Sequence, residues 1–118
     1  MGVLYNSRIV TDGLVLCLDA GDKMSYPGAG TTWTDLTANK NNGTLTNGPT
    51  FNSGNGGSIV FDGADDYVNV TVTKTANCTF SCWASYTVSS PTDMLFNAGN
   101  HGAGPDLFFY DGKISWNT

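Results

Sequence analysis

Three aspartates, Asp62, Asp65 and Asp66, crowd into the run Ser58-Ile-Val-Phe-Asp-Gly-Ala-Asp-Asp-Tyr-Val68. Carboxylates this close repel one another, so something must offset their charge. A calcium ion would do so, since it takes about six to eight oxygens, often from closely spaced Asp side chains and loop carbonyls. Asp19 or Asp22 would then be further ligands. Backbone N–H groups of a turn would also do so, because Asp readily accepts bonds from the residues that follow it. The spacing departs from the D-x-[DN]-x-[DN]-G calcium loop. Calcium ligands and turn caps therefore both stay open.

A second set of residues could recognise a glycan. The faces of Trp33, Tyr67 and Trp83, with Tyr26 and Trp116, can stack on the apolar faces of sugar rings while Asn and Asp bond the hydroxyls. Trp83 stands out because strand alternation sets it opposite Phe80 and Cys82. Packing is the competing role for Trp83, and Trp33 equally suits a loop anchor. His101 is the single histidine and has no paired Cys cluster, so a zinc site would lack ligands. A Ser–His–Asp triad can be drawn from the residues present, but nothing places them together.

Cys17, Cys78 and Cys82 make an odd count, which rules out complete pairing within one chain. Cys78 and Cys82 lie on one face of an expected strand, ~13 Å apart and too far to bridge. Buried small apolar side chains are the expected role of all three. Asn42-Gly-Thr44, Asn69-Val-Thr71 and Asn77-Cys-Thr79 match the N-x-[ST] acceptor pattern, which a chain rich in Asn and Thr produces by chance.

The elements that position these groups are strands. All ten acidic residues are Asp, there is no Glu or Gln, and the 118 residues include 15 glycines. Asp, Asn, Ser, Thr and Gly compete with or loosen a helix. The length suits one domain over residues 1–118, with 1–12 as an N-terminal arm. Gly13-Leu-Val-Leu-Cys-Leu18 reads as a first buried strand, followed by an irregular stretch over 23–42 anchored by Trp33 and Leu36. Gly43-Thr-Leu-Thr46 is a short strand. Residues 57–70 read as a hairpin turning on the Asp/Gly segment. The strongest central strand is expected over 77–86, with Cys78, Phe80, Cys82, Ala84 and Tyr86 on one face. Met94-Leu-Phe96 and Leu107-Phe-Phe-Tyr110 follow as strands. Asp111-Gly112 turns the chain into Lys113-Ile-Ser-Trp116. Eight or so short strands punctuated by turns predict an all-β, antiparallel β-sandwich.

The net charge is −5, and the five cations are scattered singly. Nucleic-acid binding needs clustered cations, so no nucleic-acid partner is expected. No apolar run reaches the ~20 residues of a membrane span. The opening Met1-Gly-Val-Leu-Tyr-Asn-Ser-Arg8 lacks the order of a signal peptide. That predicts cytosolic synthesis or release by another route, such as a virus particle.

Five segments in order, Gly13-Leu-Val-Leu-Cys-Leu-Asp19, Trp33-Thr-Asp-Leu36, Asn41-Asn-Gly-Thr-Leu45, Ser58 to Val68 and Phe80-Ser-Cys-Trp83, resemble the concanavalin A-like lectin/glucanase superfamily. The similarity is to its laminin-G-like jelly-roll domains and covers about residues 13 to 116. The wording around Asp19-Ala-Gly and Tyr26-Pro-Gly is similar to versions in structural proteins of tailed bacteriophages and in bacterial surface proteins. The resemblance implies a concanavalin A-like jelly roll in a virion structural, decoration or attachment protein. It equally implies, as the alternative, a carbohydrate-binding adhesion module of a bacterial surface. Relatives that bind calcium at such loops make calcium the implied cofactor.

Complete domains of this superfamily are usually longer. The closing strands therefore look either truncated or supplied by a neighbouring subunit. Open edges need cover, which predicts other virion or surface subunits, including copies of this chain, as partners. The superfamily's glucanases carry two Glu flanking an Asp on one strand, the carboxylate pair of a retaining mechanism. With no Glu in the chain, no enzyme activity is expected.

Overall fold

The computed structural model describes residues 9–73, 77–87, 92–97, 106–110 and 113–117. The chain divides into two compact units, Met1–Cys78 and Thr79–Thr118. The described residues are all-β apart from one short 3-10 turn at Gly54–Gly56, and every strand pairing is antiparallel. The abundance of Asn, Asp, Thr and Gly has the effect expected of it.

The first unit holds β1 (Thr32–Trp33), β2 (Gly43–Thr46), β3 (Thr50–Asn52), β4 (Ser58–Val60) and β5 (Tyr67–Val70). They form two small sheets, β1-β2-β5 and β3-β4. The hairpin expected over 57–70 is not found. Its arms β4 and β5 pair with β3 and β2 instead, so they lie in different sheets. The true turn is the 3-10 segment, where Asn55, Gly56 and Gly57 all take positive φ. From that tip two arms run back together, β3 into β2 and β4 into β5.

Midway the arms are unequal. Residues 47–49 on one arm face 61–66 on the other, so the Asp/Gly segment is an excursion that absorbs extra length. The Asn47 side-chain amide donates to the Asp65 carbonyl at 2.8 Å and ties the excursion to the opposite arm. An Asp-Gly pair between β-patterned runs signals a turn, but it does not say which strands the turn joins.

Residues 13–18, expected as a strand, run without a ladder of their own. They are held by a buried carboxylate. Asp35 is fully buried and accepts from the Cys17 and Thr37 N–H groups, both at 2.9 Å, through Oδ1. Its Oδ2 accepts from the Thr37 hydroxyl at 2.7 Å and the Asn41 N–H at 2.9 Å. Leu36 N–H donates to the Cys17 carbonyl, and the Asn41 side-chain amide donates to the Val15 carbonyl. Burial raises the Asp35 pKa, but the hydrogen bonds from Thr37, Cys17 and Asn41 outweigh it and hold the carboxyl below its ordinary value.

The apolar part of this unit is small. Leu45 and Tyr26 are buried, and Tyr26 packs on Phe51 with ring centroids 5.5 Å apart. Gly43 lies so close to Val68, Leu18 and Trp33 that a Cβ there would crowd all three. A Cβ on Gly21 would run into the Gly56 carbonyl, so the 19–22 loop and the hairpin tip meet backbone to backbone.

The second unit holds β6 (Thr92–Asn97), β7 (Asp106–Tyr110) and β8 (Lys113–Asn117) as one meander. A register shift between Met94 and Phe96 leaves Leu95 as a bulge. These three strands match the segments the sequence marked. The expected central strand, 77–86, carries no strand among the described residues, and its residues are exposed except for half-buried Tyr86. Cys78 and Cys82 are exposed free thiols, contrary to the burial expected of them, while Cys17 is half-buried. Phe80 stacks on Phe96 with centroids 4.0 Å apart. Residues 1–8, His101 and the Asp111-Gly112 turn lie outside the described residues.

Candidate functional site

The excursion between β4 and β5 brings Asp62, Asp65 and Asp66 together, with one carboxylate oxygen of each within 4.8 Å of the others. Gly63, at φ 76, lets the chain turn sharply enough to do this. Much of the cluster is engaged with its own backbone. Asp62 Oδ1 accepts from the Ala64 N–H at 2.8 Å and the Asp65 N–H at 3.4 Å. Asp66 Oδ2 accepts from the Asp62 N–H at 3.0 Å. The Ala64 N–H foremost, with the N–H groups of Asp65, Asp66 and Asp62, draws the Asp62 pKa below its ordinary value.

One atom remains over. Asp66 Oδ1 is shielded from water and has no hydrogen-bond partner among the described residues. A shielded carboxylate oxygen without a donor is costly unless a cation meets it. Turn capping therefore accounts for Asp62 and for one oxygen of Asp66. The second oxygen of Asp66 and the exposed Asp65 carboxylate are the atoms that could hold a metal, with Asp62 beside them. Hard oxygen donors of this kind suit calcium.

The aromatic candidates do not form one platform. Trp33 faces Gly43 across β1-β2, whereas Tyr67 faces Thr46 across β2-β5. Alternation along β2 puts these pairs on opposite faces of the sheet. Trp33 lies half-buried on the inner face with its indole N–H shielded and unpartnered. Tyr67 lies on the outer face, half exposed. Trp83 belongs to the second unit and is fully exposed.

The outer face also carries a group that the sequence did not mark as a site. Thr44 pairs with Asn69 across β2-β5, and both are exposed. Lys40, Asn41, Asn42 and Thr71 extend the group around an open cavity of about 420 Å³. The two acceptor tripeptides 42–44 and 69–71 were the sequence signal for it, since antiparallel pairing sets Asn69 of one beside Thr44 of the other. A second cavity, about 230 Å³, lies against Tyr26, Phe51 and Lys23.

Comparison with protein-family models found no match to this chain, and neither curated proteins nor solved structures gave one.

Proposed function

We propose that this chain is a non-enzymatic assembly and attachment module on a lectin-like β-sandwich, serving as a structural or decoration part of a bacteriophage virion. The observation that carries this reading is the exposure of strand-patterned apolar residues. Trp83 is fully exposed, and Phe61, Tyr67, Phe80 and Met94 all keep 40% or more of their surface in water. Exposed apolar side chains of this kind are what a neighbouring subunit covers in a multimer. The bent two-arm ribbon of the first unit supports the jelly-roll reading, because strands pass between the layers of a sandwich at bends and bulges. Light scattering on the purified 118-residue chain tests the proposal. Symmetric multimers are expected, and a stable monomer across the concentration range would refute it.

A second reading is favoured by the unpartnered Asp66 oxygen and the Asn/Thr cavity. In it the chain is a calcium-dependent carbohydrate-binding adhesion module, with calcium held by Asp62, Asp65 and Asp66 and sugar met by exposed aromatic and amide side chains. Glycan-array binding lost on chelation supports that reading. Binding to no glycan, together with multimer formation, leaves the assembly reading alone.

A further inference from the structure

The outer-face cavity combines features that narrow its ligand. Its lining of Lys40, Asn41, Asn42, Thr44, Asn69 and Thr71 is entirely polar, and among the described residues it contains no carboxylate and no aromatic ring. In a chain of net charge −5, Lys40 is the one charged group on this wall. The depression is open and shallow, so a ligand would lie along it and be met by hydrogen bonds on one side.

The wall is held in place from behind. Asn42 Oδ1 accepts from the Asp35 N–H at 3.0 Å, which fixes the amide and leaves its N–H donors for a ligand. Asn41 is tied at both ends, its N–H to Asp35 Oδ2 and its side-chain N–H to the Val15 carbonyl. Lys40 precedes them at φ 58, a left-handed backbone fixed between the anchored residues. Thr44 and Asn69 stand side by side on a paired stretch of sheet whose opposite face carries buried Leu45 and half-buried Val68. A site whose amides are already positioned loses less entropy on binding.

We propose that this cavity binds a carboxylated saccharide, Lys40 meeting the carboxylate while Asn42, Thr44, Asn69 and Thr71 bond the hydroxyls. The proposal rests on the carbohydrate-binding reading and names its ligand class and its place. Amide and hydroxyl side chains both donate and accept, which matches vicinal hydroxyls. A lone ammonium beside them selects one anionic substituent. Tyr67, on the same face as Asn69, borders the group and offers an apolar ring edge beyond it.

The test is an NMR titration of the isotopically labelled chain with glucuronate, with glucose (hydroxyls alone) and with acetate (carboxylate alone). Shifts confined to residues 40–44 and 69–71 are expected, with glucuronate binding about fivefold more tightly than either control. Lys40→Gln should remove the preference over glucose, and Thr44→Val should weaken both sugars while the remaining spectrum is unchanged. Equal binding of glucose and glucuronate would overturn the carboxylate assignment but leave carbohydrate binding standing. Sugar-induced shifts centred on Tyr26 and Phe51 would overturn the location in the same way. If no sugar shifts any resonance, with or without added calcium, both the inference and the carbohydrate reading fail.

Discussion

Residues 14–46 and residues 77–87 make opposite use of their sequences. The first stretch is irregular over 23–42, yet its polar groups converge on Asp35, and Leu45 and Tyr26 are buried. The second alternates as cleanly as any segment of the chain, yet it forms no ladder and leaves Cys78, Cys82 and Trp83 exposed. A strand pattern states only what its partner must look like; the ladder and the covered face come from that partner. Residues 14–46 find theirs within the first unit. Under the assembly proposal, another subunit covers the exposed side chains of 78–85.

The largest expected effect is at Asp35. Asp35→Ala leaves the Cys17, Thr37 and Asn41 N–H groups without their acceptor, and a loss of about 3–5 kcal/mol is expected in chemical denaturation. A loss below about 1 kcal/mol would remove the contrast between the two stretches. The same site predicts the acid limb of stability. Its folded pKa is lowered, so its contribution is present above about pH 4 and is lost as the pH falls through the lowered value. In Asp35→Asn that part of the acid dependence should disappear.

Next in size is Gly21→Ala, expected to cost about 1–3 kcal/mol because its Cβ meets the Gly56 carbonyl, a backbone atom that yields only by moving the hairpin tip. An unchanged melting temperature would mean that the two loops are not seated as described. At the aspartate excursion, calcium at about ten times its Kd should raise stability by about 1.4 kcal/mol, and Asp66→Asn should abolish the gain. A gain that survives this substitution would leave the cluster as a turn cap. The smallest effect on stability is expected for Trp83→Ser, within about 0.5 kcal/mol for a fully exposed side chain. Its effect on multimer mass should nevertheless be complete.

What was legible in the sequence follows from which signals are local. The all-β character was carried by composition, and β2, β6, β7 and β8 by short apolar runs between turn residues. The aspartate cluster was legible because its members are near neighbours in the chain. Pairing was not legible, since Asp62-Gly63 marks a turn without saying that it is an excursion within one arm and that β4 and β5 join different partners. Asp35 was visible only as part of a W-x-D-L segment. Its four bonds reach residues on both sides in the chain, and no spacing encodes them. The Asn/Thr cavity appeared only as two unremarkable tripeptides until register placed them side by side.

Hydrogen exchange at the amides of residues 78–85, followed from concentrated to dilute protein, decides whether another subunit covers this stretch. If it does, these amides are protected in the multimer and exchange freely on dilution, while those of β2 and β5 stay protected throughout. Fast exchange at 78–85 in a demonstrated multimer, or protection that persists in the monomer, would overturn the assembly proposal.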